Sequence, residues 1–260
     1  MRRAKPVLLL ALAAASFMMA ASGCRKRAAG ECVKYGVAAA DRNDWKTALK
    51  FAEKGVESEP RNIDALLLKA ICAQRCRQPE VAYAAAAKAA EIEPKNFFAQ
   101  YILGCACVDC GNRQAEAKRA FLAALELRGN DPCTLVALCN LTAETGDRDL
   151  LKYLNLLERN SIKSITESAA FHNQKGVALL RVGDRNNALR EFNAAQKMDW
   201  KDPNIIYNAA CAYDNYRLTA KNRQLVRSIY ERYLKLTVND KSAEPTRILV
   251  QKRVKELGGR

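Results

Sequence analysis

A 34-residue period constrains the fold of this chain more than any other feature of its sequence. Within Ile63–Asn96, two segments with helical apolar periodicity are joined at Gln78-Pro79 and end at Pro94. Pro60 stands 34 residues before Pro94, and a short polar pair follows each proline. The unit is therefore predicted to form two helices joined by a turn, with the second helix ending before a proline. Neither helix of such a hairpin can bury its apolar face alone, so the pattern predicts an array of stacked hairpins.

The composition favours helices over strands. Apolar residues make up 49% of the 260-residue chain, and many of them are alanine. Alanine is the best helix former, and its small side chain lets helices approach closely. We find no run of alternating apolar and polar residues that would predict a strand. The predicted fold class is all-α.

The period and its residue types resemble those of the tetratricopeptide repeat family. At five positions of the repeat that family has, in order, a small residue, a small or aromatic residue, alanine, an aromatic residue or alanine, and alanine, with a proline near the end. In Ile63–Asn96 these positions hold Ala70, Ala73, Ala82, Ala86, Ala89 and Pro94. The resemblance implies a right-handed superhelix of about six units over 29–241, with a capping helix over 242–260. The units are 29–62, 63–96, 97–134, a degenerate unit 135–168, 169–202 and 203–241.

The first residues are excluded from the repeat array. Three cations in 1–5 precede an apolar run over Pro6–Ala21, which is typical of a secretory signal peptide covering 1–23. The sequence Ala21-Ser22-Gly23-Cys24 resembles the lipobox of bacterial lipoproteins, although leucine is commonest where Ala21 stands. This resemblance implies cleavage before Cys24, lipidation of Cys24, a tether over 24–28 and a membrane-anchored protein on the periplasmic face. Ordinary cleavage, giving a soluble periplasmic or secreted protein, stays open.

The chain is strongly basic, with a formal net charge of +15. Outside the cytoplasm, such a protein meets anionic membrane surfaces, acidic polymers or acidic proteins rather than nucleic acid. From Tyr216 to Arg260, 12 Lys and Arg face four Asp and Glu. This end is either a solvated cap or an anion-binding patch.

The sequence offers little for catalysis. His172 is the one histidine, so catalytic triads and histidine-rich metal sites are hard to build. It falls at a first-helix position where the tetratricopeptide repeat family has a large packing residue, so the resemblance implies a packing role. No phosphate-binding glycine loop or zinc-protease motif is present. We therefore expect a non-enzymatic protein with no cofactor and no small-molecule ligand.

The ten cysteines leave three interpretations open. On a helix, Cys105, Cys107 and Cys110 would point about 0°, 200° and 140° around the axis, which does not suit one metal ion. Cys76 and Cys110 occupy equivalent positions in adjacent repeats, so a Cys76–Cys110 disulfide is conceivable in an oxidising compartment. Alternatively, cysteine replaces alanine or serine at small buried positions. We predict no metal site.

In the repeat family, five positions of each first helix line a concave groove. Transferred by position, this implies groove residues Leu67, Ile71, Gln74, Arg75, Phe98, Tyr101, Val108, Asp109, Asn173, Val177, Arg181, Tyr207 and Asp214. Aromatic and aliphatic groups with a few charges suit an extended peptide or a partner helix.

Three functions follow as hypotheses. The favoured one is a non-catalytic scaffold or adaptor at the bacterial cell envelope that binds partner proteins or peptides in its groove. The second is a binding module for an anionic envelope polymer or membrane surface, acting through the basic C-terminal end. The third is a redox or metal protein that uses the cysteines.

Overall fold

The computed structural model describes residues 28–160, 163–214 and 219–258, without the side chains of residues 164, 220 and 221. The described chain is helical, with no strand in those ranges, which confirms the all-α fold of stacked helical hairpins. The predicted signal peptide, Cys24 and nearly all of the tether lie outside the described residues. None of the described helices is long and apolar enough to cross a bilayer.

The chain forms two compact units, 28–134 and 135–258 of the described residues, and the boundary falls within one helix. Unit 1 contains three hairpins and the start of α7. Its helices are α1 (28–41), α2 (Trp45–Ser58), α3 (Ile63–Arg75), α4 (Pro79–Ile92), α5 (Phe97–Asp109), α6 (Gln114–Leu127) and α7 (Pro132–Thr145, shared with unit 2).

Unit 2 continues the all-helical pattern through its last described helix. Its helices are α8 (Leu150–Arg159), α9 (Lys163–Thr166), α10 (Ala169–Arg181), α11 (Arg185–Met198), α12 (Pro203–Asp214), α13 (Ala220–Leu236) and α14 (Glu244–Gly258), with a 3₁₀ turn at Lys241–Ala243. The short α9 lies near the end of the unit 135–168, which the sequence marks as degenerate. Residues 161–162, before α9, and 215–218, between α12 and α13, lie outside the described residues.

The polar residues that follow the repeat prolines begin the next hairpin. Asn62 Oδ1 accepts a hydrogen bond from the Ala65 backbone N–H at 2.9 Å, and Asn96 does the same for Ala99 at 3.2 Å. Asparagine at this position satisfies a backbone donor that has no partner within the helix. The 34-residue period therefore sets the starts of α3 and α5.

Small residues allow the helices of each hairpin to pack closely. Ala70, Ala82, Ala86 and Ala89 are fully buried, in agreement with their positions in the period. Where a phenylalanine enters from the second helix, the first helix carries glycine instead. A Cβ on Gly104 would lie 2.5 Å from the Phe121 ring, and one on Gly176 would lie 2.7 Å from Phe192. Each glycine thus makes room for a buried ring.

Candidate functional site

The first helices of unit 1 expose a row of apolar side chains. Val37 on α1, Ile71 on α3 and Phe98 on α5 have 44%, 37% and 51% of their surface exposed. The helix α3 packs against α5, and a buried cluster joins α1 to α3. We call Val37, Ile71 and Phe98 the apolar row. It contains one large apolar residue from each of three consecutive hairpins. Val37 and Ile71 are one period apart, whereas Phe98 lies on the same face of α5 but two helical turns before the equivalent position, Cys105.

Three predicted groove residues on α3 and α5 are half-buried and form the floor of this surface. Leu67 and Val108 are half-buried, and Leu67 contacts the core. Tyr101 is also half-buried, and its ring stacks on Phe97 at 6.0 Å between centroids. Burial is the largest cause that raises the pKa of Tyr101, so its hydroxyl stays protonated. The floor can therefore offer apolar area and a neutral hydroxyl to a ligand.

Polar groups lie along one edge of the same surface. Gln74 Nε2 donates to Asp109 Oδ2 at 2.7 Å, which links α3 to α5. These two residues, with Arg77 and Pro79, line an open pocket of about 320 Å³. Amide and carboxylate groups of this kind can bind the backbone of an extended chain.

Two arginines lie over aromatic rings beside the apolar row. The Arg75 guanidinium lies 5.1 Å from the centroid of the Trp45 ring. Arg128 lies over both Phe97 and Phe98, at 4.1 and 4.7 Å. Such cation–π contacts limit the freedom of the rings and place positive charge next to exposed apolar area. The orientation of Phe98 is thus supported before any ligand binds.

Most of the predicted groove residues of unit 2 already have partners within the unit. Asn173 Oδ1 accepts from Asn208 Nδ2 at 3.0 Å, and Arg181 donates to the Ala143 carbonyl at 3.1 Å. The Val177 side chain is half-buried against the core. Because these groups are engaged, they offer less to a ligand than the apolar row does.

The two remaining predicted residues of unit 2 are also engaged. The Tyr207 ring packs 5.5 Å from Tyr233, and burial raises the pKa of Tyr207 to about 12. Asp214 accepts two hydrogen bonds from Arg253 of α14, at 2.7 and 2.8 Å, and one from Tyr230 at 3.2 Å. The carboxylate of Asp214 therefore holds α14 in place.

The nine cysteines of the described ranges are free thiols. Cys76 and Cys110 are not bridged, and Cys110 Sγ donates to the Pro79 carbonyl at 3.5 Å. Burial raises the pKa of Cys72 to about 11 and that of Cys107 to about 12. Within the described ranges, no group of three or more His, Cys, Asp and Glu residues could hold a metal ion. The Cys76–Cys110 bridge stays a prediction for the oxidised protein.

His172 belongs to a polar network in unit 2. Its Nδ1 lies 2.6 Å from Glu191 Oε2, and its ring meets Phe171 edge-on. Lys175 joins Glu191 to Glu158 of α8 at 3.1 and 2.8 Å. These contacts link α8, α10 and α11, so the histidine has a packing environment and polar partners.

Sequence reasoning missed Val37, which completes the apolar row. It stands 34 residues before Ile71, so the period alone could have identified it. It also missed the pocket beside Gln74, because Arg77 lies in the inner turn and Pro79 begins α4. That turn bends at Arg77, whose φ is +58°. The groove residues were inferred from positions on the first helices alone, and such positions do not include this turn.

Comparison with known proteins matches part of the chain to a family. Residues 41–124 match the model of a family described as anaphase-promoting complex, cyclosome, subunit 3. These residues contain α2–α5 and most of α6 of unit 1. None of the curated proteins is significantly similar to the chain in sequence.

Three solved structures illustrate the structural similarity. YrrB, described as a TPR protein with an unusual peptide-binding site, is 20% identical with a TM-score of 0.60, over 75% of this chain and 96% of its own. PilF of Pseudomonas aeruginosa is 14% identical with a TM-score of 0.60, over 86% of this chain and 98% of its own.

The third is the APC/C hetero-tetramer Cut9-Hcn1, which is 17% identical with a TM-score of 0.56 over 88% of this chain. This chain spans only 42% of the matched Cut9-Hcn1 chain. Identities at this level establish the fold alone. The chain has the stacked helical-hairpin fold of tetratricopeptide repeat proteins.

Proposed function

We propose that the protein is a non-catalytic adaptor that binds an extended segment of a partner protein on the first helices of unit 1. The observation that carries this proposal is the apolar row of Val37, Ile71 and Phe98, exposed on three consecutive hairpins. Exposed apolar side chains arranged together mark interaction surfaces, whereas single ones do not. The partner would bury this row.

The spacing of the helices suggests what kind of segment fits. Packed helices lie about 8–10 Å apart, and an extended chain advances about 3.3 Å per residue. A segment in the polyproline II conformation has three residues per turn and rises about 3.1 Å per residue, so it could place every third side chain, about 9 Å apart, over α1, α3 and α5. Gln74 and Asp109 lie at the edge of this surface and can bind the backbone of the segment.

The fold comparison supports binding rather than catalysis. YrrB, which has the same type of fold, is a TPR protein with a peptide-binding site. Several polar pairs of the described residues link neighbouring helices, such as Asn208 with Asn173 and Arg253 with Asp214. By analogy, we propose that this chain acts by binding a partner peptide or protein on its surface.

We propose the bacterial cell envelope as the location. This part rests on the sequence, in which a leader-like segment over 1–23 precedes the lipobox-like Cys24. Acylation of Cys24 would place the helical array next to a membrane, where it could hold other envelope proteins or peptides. Mass spectrometry of the mature N-terminus tests this location separately from peptide binding.

Site-specific photo-crosslinking tests the groove. A photoreactive amino acid replaces Ile71, which is 37% exposed, and, in a matched control, Leu127, which is 39% exposed but lies at the end of the second helix α6. The proposal predicts a discrete crosslinked protein from position 71, with the crosslinked peptide carrying spaced apolar residues. Equal crosslinking from both positions, or none from position 71, would refute the groove.

A further inference from the structure

The excess positive charge of the described chain is concentrated in its last two helices. Residues 28–214 carry 25 Lys and Arg against 24 Asp and Glu, so this long stretch is almost neutral. Residues 219–258 carry ten Lys and Arg against four Asp and Glu. A basic charge confined to one end of unit 2 indicates a local attraction for anions rather than a general property of the surface.

The outward side of α14 combines cations with large apolar groups. Val250 and Leu257 are buried and lie two turns apart, which defines the inward side of the helix. Ile248, Lys252 and Lys255 recur at the spacing of one helical face, and all three are exposed. Ile248 is 58% exposed, which is unusual for a side chain expected to pack in a capping helix.

The apolar surface extends beyond Ile248. Leu249 beside it is 64% exposed, and Val238 in the turn before α14 is also 64% exposed. A capping helix normally turns its apolar side chains inward and a polar face outward. The structure instead buries Val250, so Ile248 and Leu249 face solvent.

Several contacts fix the orientation of α14. Arg253 binds Asp214 of α12 through two hydrogen bonds. Arg247 donates to the Leu234 carbonyl at 2.7 Å and to Thr237 Oγ1 at 3.1 Å. These bonds tie α14 to α12 and to the end of α13, next to Val238. The helix therefore presents one defined face outward.

Lys252 and Lys255 are exposed and form no ion pair with the described residues. The nearby acids are partly neutralised, since Glu244 pairs with Arg247 and Glu256 with Arg253. We define the terminal face as Val238, Lys241, Ile248, Leu249, Lys252 and Lys255. It is a fixed surface that offers unpaired ammonium groups beside exposed aliphatic groups.

We propose that the terminal face binds the surface of an anionic lipid bilayer. Ammonium groups are attracted to anionic headgroups, and aliphatic side chains gain by entering the boundary between headgroups and acyl chains. A soluble acidic polymer would use the cations but would leave Ile248 and Leu249 in water. The apolar groups among the cations are thus the reason for choosing a bilayer. This site is independent of the groove in unit 1 and of Cys24.

Vesicle binding by the purified full chain tests the proposal. Vesicles of phosphatidylcholine with 30 mol% phosphatidylglycerol are compared with pure phosphatidylcholine, and polyglutamate serves as a soluble polyanion. The test variants are K252Q/K255Q and I248S/L249S. The matched controls are K46Q/K50Q, which removes two exposed lysines of α2, and Leu127→Ser. The wild type and all variants are compared as the unacylated protein with the same N-terminus, so a lipid anchor does not contribute to vesicle binding.

A headgroup-level cation contributes roughly a fivefold gain in affinity, so K252Q/K255Q should bind anionic vesicles roughly 25-fold more weakly. I248S/L249S should also bind them at least several-fold more weakly, while both controls bind like the wild type. Loss of polyglutamate binding in K252Q/K255Q, with wild-type vesicle binding by I248S/L249S, would overturn the proposal in favour of a polymer site. Equal binding to neutral and anionic vesicles would overturn it as well.

Discussion

A single methyl group at Gly104 tests whether the hairpins of unit 1 pack as rigidly as the structure indicates. In Gly104→Ala, the new Cβ would lie 2.5 Å from two atoms of the Phe121 ring. Phe121 is 1% exposed and packs against Tyr101 at 5.9 Å, so the ring has little room to move. Overpacking of this kind costs about 1–3 kcal/mol.

The helical preference of alanine opposes this cost. Replacing glycine by alanine within a helix contributes about 1 kcal/mol of stability. Because three ring atoms lie within 2.9 Å of the new Cβ, we expect the free-energy cost of this overpacking to lie near the upper end of the range of about 1–3 kcal/mol. The expected net effect of Gly104→Ala is a loss of about 1–2 kcal/mol. Gly30→Ala is the matched control, because a Cβ there meets nothing within 4 Å.

Tryptophan fluorescence can follow each unit separately. The chain has two tryptophans, Trp45 in unit 1 and Trp200 in unit 2, and Trp200 is 57% exposed. In a Trp200→Phe background, urea unfolding monitored by Trp45 reports on unit 1. The midpoint should fall for Gly104→Ala and stay or rise for Gly30→Ala.

Phe121→Leu completes a double-mutant cycle for this contact. In that background the ring is gone, so Gly104→Ala should cost little or should stabilise unit 1. The reasoning fails if Gly104→Ala raises the midpoint as much as Gly30→Ala does. It also fails if Phe121→Leu leaves the cost of Gly104→Ala unchanged.

Three further predictions follow from the buried thiols and from the contacts of α14. Burial raises the pKa of Cys107 and Cys139 to about 12. The unfolded chain therefore loses these protons first as pH rises, and the stability of the folded chain should fall between about pH 9 and 12. A urea midpoint that does not change between pH 8 and 10.5 would contradict this. Alkylation of the native protein at pH 8, followed by mass spectrometry, should label exposed Cys133 well before buried Cys107, and equal labelling rates would exclude the packing described. Arg253→Met removes the bonds to Asp214 and should weaken the attachment of α14 by about 1 kcal/mol, so amide hydrogens of α14 should exchange faster. Exchange as slow as in the wild type would show that apolar packing alone holds the helix.

Local signals in the sequence predicted most of the repeat structure. The prolines and the polar residues after them identified the hairpin boundaries, since Asn62 and Asn96 act only on the next turn of helix. The alanine positions were predictable because close helix packing leaves room only for small side chains. These features depend on residues near one another in sequence or one period apart.

Features that depend on distant contacts were not predictable in the same way. Asp214 and Arg253 are 39 residues apart and lie in different elements, so no spacing rule predicted their ion pair. The same contacts fix the rotation of α14, which decides that Val250 is buried and Ile248 exposed. The groove positions could be named from the repeat. Their differing availability in units 1 and 2 depends on partners such as Asn208 and Ala143.

The most direct test of the proposed function is the affinity of the partner segment captured through position 71. Its dissociation constant is measured by calorimetry for the wild type, for Ile71→Ser and for the matched control Leu127→Ser. A side chain at the centre of a binding surface typically contributes more than about 1 kcal/mol, so Ile71→Ser should weaken binding at least several-fold while Leu127→Ser has no effect. Equal affinity for all three proteins would contradict the claim that the apolar row of unit 1 binds the partner.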